Sequence, residues 1–308
     1  MLAFIFPGQG SQVVGMGAAL AGASRAARDV FAEVDEALGQ NLFKLMRDGP
    51  DEELRLTENA QPAIMAHSIA VFRTMGVQLV DVANFVAGHS LGEYSALCAA
   101  GSFDLATAAK LLKLRGQAMQ QAVPVGEGAM AALLGGDLAL AQKIADAAAQ
   151  GQVCAVANDN DPSQVVISGH KAAIDRAIEI AKDMGAKRAV SLPVSAPFHC
   201  PLMQPAAEAM RDALGYVLVE APTVAVFANV TAQPESDPDT IRNQLVEQVT
   251  GMVRWRESVA NMFDVGVHEF IEVGGKVLGS MVKRIAPDAK VTSVVTIEDV
   301  EALVKEIA

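Results

Sequence analysis

No stretch of this 308-residue chain could cross a bilayer as a helix, because Gly, Asp, Lys or Gln breaks every apolar run. A membrane helix needs roughly 18 to 20 unbroken apolar residues, so no membrane partner is expected. The first residues, Met1-Leu2-Ala3-Phe4-Ile5-Phe6-Pro7, lack a basic leader and are too short an apolar run for a signal peptide. A cytoplasmic protein is the expectation. Paired thiols are also missing. Cys98, Cys154 and Cys200 form an odd set without Cys-x-x-Cys spacing, which argues against a disulfide framework and against a zinc site. Positive charge is scarce: 24 Lys and Arg stand against 36 Asp and Glu, a net charge of -12. Such a chain repels polyanions, and nucleic acid is not expected as a partner.

What is present is apolar: 51% of residues are hydrophobic and 19% charged. A chain of this size buries a large core, and its length suits about two structural units. The acid gathers early, from Asp29 through Glu33, Asp35, Glu36, Asp48, Asp51, Glu52 and Glu53 to Glu58, leaving other regions neutral or basic. Leu2 to Phe6 reads as a buried strand that Pro7-Gly8 turns into a glycine-rich loop. Asn84 to Gly88 repeats the pattern ahead of Gly88-His89-Ser90-Leu91-Gly92, and Tyr94 to Ala100 reads as helix. From Gly128 the expected order is strand (Met130 to Leu134), helix (Leu138 to Gln150) and strands at Val153 to Ala157 and Gln164 to Ser168. Helix (Ala172 to Met184) and strand (Arg188 to Leu192) follow, with Asn158-Asp159-Asn160-Asp161-Pro162 as the turn between the middle strands. This β-α-β-β-α-β order is the ferredoxin-like pattern, which places an inserted subdomain at about 126–196. Strands at Thr223 to Phe227, Val267 to Val273 and Val291 to Val295, alternating with helices, predict a mainly parallel α/β core formed by 1–125 and 197–308.

Gly88-His89-Ser90-Leu91-Gly92 fits the Gly-x-Ser-x-Gly elbow, in which small neighbours permit a sharp strand-to-helix turn that pushes the serine hydroxyl outward. The amide of Leu91 then opens a helix and is available to an oxyanion. A serine hydroxyl needs a base, and five histidines are available. His67 and His170 lie in or beside predicted helices, His268 starts a strand, and His89 points away from its neighbour. His199, in Ser195-Ala196-Pro197-Phe198-His199-Cys200-Pro201, sits in a stiff loop that suits either a fixed base or a histidine satisfied by backbone. Arg115 falls on the apolar face of a helix spanning about Asp104 to Ala122. A guanidinium there calls for an anion, an internal salt bridge or a snorkelling path to water. Gly8-Gln9-Gly10-Ser11-Gln12 fails as a dinucleotide loop because Val13 replaces the last glycine, although its amides suit a second oxyanion donor. Gly274-Gly275-Lys276 lacks the rest of a Walker loop, and no metal-ligand cluster is visible.

Taken together, Phe6-Pro7-Gly8-Gln9-Gly10-Ser11-Gln12, the elbow with Glu93-Tyr94, Arg115-Gly116-Gln117-Ala118-Met119 and Pro193-Val194-Ser195-Ala196-Pro197-Phe198-His199 carry a resemblance along nearly the whole chain. With Gln248, Val253 and Trp255 in the same order, the sequence resembles the malonyl-CoA:acyl carrier protein transacylases of dissociated bacterial fatty acid synthesis. The resemblance implies an α/β-hydrolase-like core, Ser90 as nucleophile, His199 as base and Arg115 as the clamp on a malonyl carboxylate. It further implies an oxyanion hole from the amides of Gln9 and Leu91, Gln248 near His199, and Phe198 as a mark of malonyl selectivity. Malonyl-CoA and acyl carrier protein are the implied substrates, with no cofactor, no third catalytic carboxylate and a monomeric chain. Where relatives read Gly-Pro-Gly-Lys, Gly274-Gly275-Lys276 is one residue shorter. The carrier proteins of the resembled enzymes are acidic, so basic sites are expected to receive them, with Lys182, Lys187, Arg188, Lys276, Lys283 and Arg284 as candidates. A polyketide-synthase acyltransferase, a malonate decarboxylase transacylase subunit, an acyl-CoA hydrolase and a noncatalytic carrier-binding protein are the alternatives.

Overall fold

The structure, a computed structural model, describes residues 1–307. Its strands are β1 (Leu2–Phe6), β2 (Phe85–Gly88), β3 (Gly128–Leu134), β4 (Cys154–Asp161), β5 (Gln164–His170), β6 (Arg188–Ser191), β7 (Ala225–Phe227), β8 (Pro234–Glu235), β9 (Glu269–Val273) and β10 (Lys290–Val294). They form two sheets, one of order β10-β9-β1-β2-β7-β8 and one of order β4-β5-β3-β6. The larger sheet is parallel through β10, β9, β1, β2 and β7, and only β8 runs against it. Side chains alternate across a strand, and β1 shows why a parallel strand reads as an unbroken apolar run. Phe4 and Phe6 enter the large core on one face, while Ala3 and Ile5 enter a second core with Trp255 and Phe270 on the other.

The smaller sheet is antiparallel and lies within 126–196. Its alternation divides the same way. Ala131, Leu133, Val165 and Ile167 pack under the helices Leu138–Ala149 and Lys171–Ala181, whereas Met130, Ala132 and Val166 join the large core. One face therefore closes the small unit and the other closes the space above the large sheet.

The sequence places Asn158 to Asp161 in a turn, and the structure does not. They continue β4, two-residue reversal being left to Pro162 and Ser163, and register shifts between Val156 and Asn158 and between Asp159 and Asp161 absorb the extra length. Polar residues are tolerated in this buried strand because the larger unit supplies their partners. Arg256 grips Asp159 at 2.8 Å, Arg284 grips Asp161 at 2.8 Å, and Asn160 Oδ1 lies 2.8 Å from His89 Nε2. Backbone bonds from Asp159 N to Val253 O and from Val253 N to Ala157 O, each 2.9 Å, stitch the units together. Arg284, a candidate for carrier docking in the sequence reading, is thus committed to a carboxylate that is itself fully buried.

The remaining elements sit within a few residues of expectation, including the helix Leu105–Gln121 with Asp104 as its cap. The loops after β1 and β2, which carry Gln9 and Ser90, emerge at the carboxyl ends of neighbouring parallel strands, where α/β sheets place their ligands. Removing the partner of a buried charge costs more than an exposed pair is worth. Arg284→Ala is therefore expected to lower unfolding free energy by about 1 to 3 kcal/mol in urea titration, less than a fully buried pair because the guanidinium is half in water. An unchanged midpoint would show that Asp161 does not depend on this partner.

Candidate active site

The elbow forms because nothing larger than glycine fits around it. A Cβ on Gly88 would lie 1.9 Å from the carbonyl of Gly92, and one on Gly92 would lie 2.3 Å from the carbonyl oxygen of Phe6. β2 therefore turns sharply into the helix Leu91–Ala99, leaving Ser90 at φ 55° and ψ -111°, a conformation that costs a non-glycine residue energy. Asn229 holds the strained turn: its Oδ1 accepts from Ser90 N at 2.8 Å and its Nδ2 donates to Gly88 O at 2.7 Å. Gln9 and Leu91 both border the cavity, and the backbone N–H of neither donates to an acceptor among the described residues.

His199 arrives from the loop after β6, also with positive φ, at 57°. Its Nδ1 lies 2.8 Å from the carbonyl oxygen of Gln248, and its Nε2 lies 2.7 Å from Ser90 Oγ. Gln248 is in the last turn of the helix Pro238–Thr250, where carbonyls have no helical partner, so its oxygen is free to accept. A carbonyl can only accept, which fixes the proton on Nδ1 and leaves Nε2 bare toward the serine. Burial, reinforced by the charge of Arg115, pushes the imidazole down to about 3, and the Gln248 carbonyl opposes the shift only in part. The ring is neutral and can take the proton of Ser90 Oγ.

Arg115 lies on the helix Leu105–Gln121 and is 1% exposed. Nη1 donates to Gln61 Oε1 at 2.8 Å, and Nη2 donates to Gln248 Oε1 at 2.8 Å and to Ser90 Oγ at 3.2 Å. Nε has no partner among the described residues. Of the alternatives open to a guanidinium on an apolar face, neither a salt bridge nor a snorkelling path is realised: every partner is a neutral oxygen. Burial lowers its pKa.

Three site residues escape sequence reasoning. Asn229 and Gln61 are given no part, and Glu93 appears only as a motif letter. The Glu93 carboxyl is buried, accepts from Gln248 Nε2 at 2.7 Å and from Asn229 N at 3.1 Å, and is raised by burial to about 7. The available signals are a carboxylate inside the apolar segment after the elbow, and amides in apolar surroundings: Gln61 beside Pro62, Asn229 just past β7. The cavity itself is about 300 Å³ and is bordered by Met119, Met130, Leu192, Val194 and Phe198 besides the polar groups. Phe198 and Gln248 are thus both at the site, the first in its wall and the second beneath Arg115.

The buried histidines give a pH signature. His67, His89 and His199 are all depressed by burial, so each contributes stability that is complete above the ordinary value of about 6.5 and lost as pH falls toward the folded value. Glu93 works in the opposite sense, its contribution complete below the ordinary carboxyl value of about 4.5 and lost as pH rises through about 7. For reactivity, an ordinary histidine is about 97% protonated at pH 5. Labelling of Ser90 by a fluorophosphonate should instead keep its pH 8 rate within about threefold at pH 5. A fall of more than about tenfold over that interval would contradict a base held near 3.

Residues 3–294 match the model of the acyl transferase domain family. The malonyl CoA-acyl carrier protein transacylase of Escherichia coli strain K12 is 48% identical over 284 residues, covering 92% of each chain. The solved acyl-carrier-protein-S-malonyltransferase of Bartonella henselae superposes with TM-score 0.97 at 52% identity, covering 99% of each chain. A malonyl-transacylase solved in complex with its type II PKS acyl-carrier protein gives TM-score 0.96 at 40% identity, again over 99% of each. A match of this breadth to both sequence and backbone places the chain in the acyl transferase domain family, among the malonyl CoA-acyl carrier protein transacylases.

Proposed function

We propose that this protein transfers a malonyl group from malonyl-CoA to the pantetheine thiol of an acyl carrier protein, through an ester on Ser90. One observation carries the choice of acyl group. A buried guanidinium without a carboxylate partner lies 3.2 Å from the nucleophilic oxygen, so the acyl carbon attacked by Ser90 must carry an anion within a few bonds. Malonate has its second carboxylate two bonds from the reacting carbonyl. Acetyl groups leave the cation unpaired, and the planar fork suits a carboxylate held by two hydrogen bonds.

In the first half-reaction Ser90 Oγ bonds to the thioester carbonyl carbon while its proton passes to His199 Nε2. The carbonyl oxygen becomes an oxyanion at the amides of Gln9 and Leu91. Collapse breaks the carbon–sulfur bond, and the imidazolium returns the proton to the departing CoA thiolate. In the second half-reaction the carrier thiol gives its proton to the same imidazole while its sulfur attacks the ester carbon; the carbon–oxygen bond to Ser90 then breaks, and the imidazolium returns the proton to Ser90 Oγ. One thioester replaces another, and the sequence of steps calls for no cofactor. Gln248 holds His199 by its carbonyl and Arg115 by its side chain, and Phe198 narrows the wall against branched acyl groups.

The strand order of the small sheet and its private core under two helices support a ferredoxin-like subdomain at 126–196. The parallel sheet with its elbow supports an α/β-hydrolase-like core from 1–125 and 197–308. Among the described residues no helix is long and apolar enough to cross a membrane, and we take the enzyme as cytoplasmic and monomeric. Lys182, Lys187, Arg188, Lys276 and Lys283 are exposed and remain the proposed docking charges for an acidic carrier.

Incubation with malonyl-CoA should add one malonyl mass to the intact protein, and Ser90→Ala should abolish the adduct. Persistence of the adduct in that variant would remove Ser90 as nucleophile. Arg115→Ala should slow malonyl transfer by at least about a hundredfold while changing acetyl transfer less than about tenfold, because only the first substrate loses a charged partner. Equal losses on both substrates would refute the clamp.

A further inference from the structure

We propose that Thr57 and Gln61 are positioning residues, forming a directional hydrogen-bond relay that ties the Arg115 clamp to the Gln9 amide of the oxyanion hole. The inference rests on the acyl transfer argued above and concerns how two parts of that site are joined.

The relay has three links. Arg115 Nη1 donates to Gln61 Oε1 at 2.8 Å, Gln61 Nε2 donates to Thr57 Oγ1 at 3.0 Å, and Thr57 Oγ1 donates to Gln9 Oε1 at 3.2 Å. Its direction is forced from one end. A guanidinium has donors only, so Gln61 must turn its carbonyl toward Arg115 and its NH2 toward Thr57. The hydroxyl accepts there and has one proton left, which goes to the Gln9 carbonyl. Thr57 and Gln61 lie one turn apart on the helix Thr57–Met75 and are 1% and 2% exposed. The Arg115–Gln61 and Gln61–Thr57 links lie away from water, where each is costly to leave unmade, and the Thr57–Gln9 link is part-buried.

Gln9 depends on this link. Its loop follows β1 and includes Gly10 at φ 104°. The other side-chain bonds of the loop stay inside it, Ser11 Oγ to Gly8 O at 2.8 Å and Gly10 N to Gln12 Oε1 at 2.8 Å. The Thr57 bond alone joins the Gln9 side chain to a packed helix among the described residues. Holding that side chain restrains the backbone N–H of the same residue, and Gln9 borders the Ser90 cavity. The group that reads the substrate's carboxylate thereby also sets one donor that stabilises its oxyanion.

The relay acts on the transition state and not on ground-state binding, which separates it from a structural role. Thr57→Val keeps the shape and removes the link. It should slow formation of the malonyl-serine adduct about tenfold, the scale of one lost hydrogen bond at an oxyanion donor, and leave the KM for malonyl-CoA within about twofold. Thr57→Ser should restore the rate. Gln9→Ala, at an exposed residue that folding does not need, should show the same loss, and the double variant should be no slower than either single one. Time-resolved intact mass on all four variants beside the unsubstituted protein decides the matter. If the unsubstituted protein gains no malonyl mass, the proposed function falls. If it does gain the mass and Thr57→Val keeps pace with it, or if the Thr57 and Gln9 losses multiply, the relay alone is overturned.

Discussion

A positive charge sealed among neutral oxygens governs this site. Arg115 is almost completely removed from water, yet its fork donates only to the side-chain oxygens of Gln61, Gln248 and Ser90, with the Tyr94 ring 5.7 Å from its central carbon. A carboxylate in direct contact would stabilise the cation more, and would also cancel its attraction for a substrate. The nearest acid, Glu93, is kept one residue back. Gln248 stands between them, accepting from Arg115 at Oε1 and donating to Glu93 at Nε2. The amide lets the carboxyl support the network without neutralising the guanidinium, and burial keeps that carboxyl partly protonated near neutral pH. The same guanidinium helps depress His199, so its charge also keeps the imidazole from taking up a second proton.

The fold exists to hold these groups against strain and desolvation. Two non-glycine residues with positive φ, Ser90 and His199, face one another across 2.7 Å, and such backbone conformations persist only where the surroundings over-determine them. Asn229 fixes one and the carbonyl of Gln248 fixes the other. The small sheet closes the cavity with Met130 and Val166, and its strand β4 is locked to the larger unit by two buried aspartates. Such a joint suits a cavity whose walls come from both units.

Much of this was legible in the residues. The glycine spacing around Ser90 implies a close approach of backbones, and Gly88 and Gly92 make that approach. The apolar placement of Arg115 on a helical wheel implies a buried charge, and it is buried. Periodicity could not say which of three fates that charge meets, because partners distant in sequence decide it. The segment from Asn158 to Asp161 misled for the same reason: local turn chemistry argues for a loop, while Arg256, Arg284 and His89 from the other unit make a polar strand affordable. Glu93, Asn229 and Gln61 go unread because they hold residues distant in sequence, Asn229 the backbone of the elbow and the other two neighbouring side chains, and a one-dimensional pattern carries no sign of such contacts.

Acyl selection at this site turns on where a bound malonyl group lies. A crystal structure of the malonylated protein, trapped before carrier protein is added, tests this most directly. The ester should be on Ser90, with the free carboxylate paired to both terminal nitrogens of Arg115 and the ester carbonyl oxygen within hydrogen-bond distance of the Gln9 and Leu91 amides. A malonyl carboxylate directed to solvent, or to any cation other than Arg115, would contradict it.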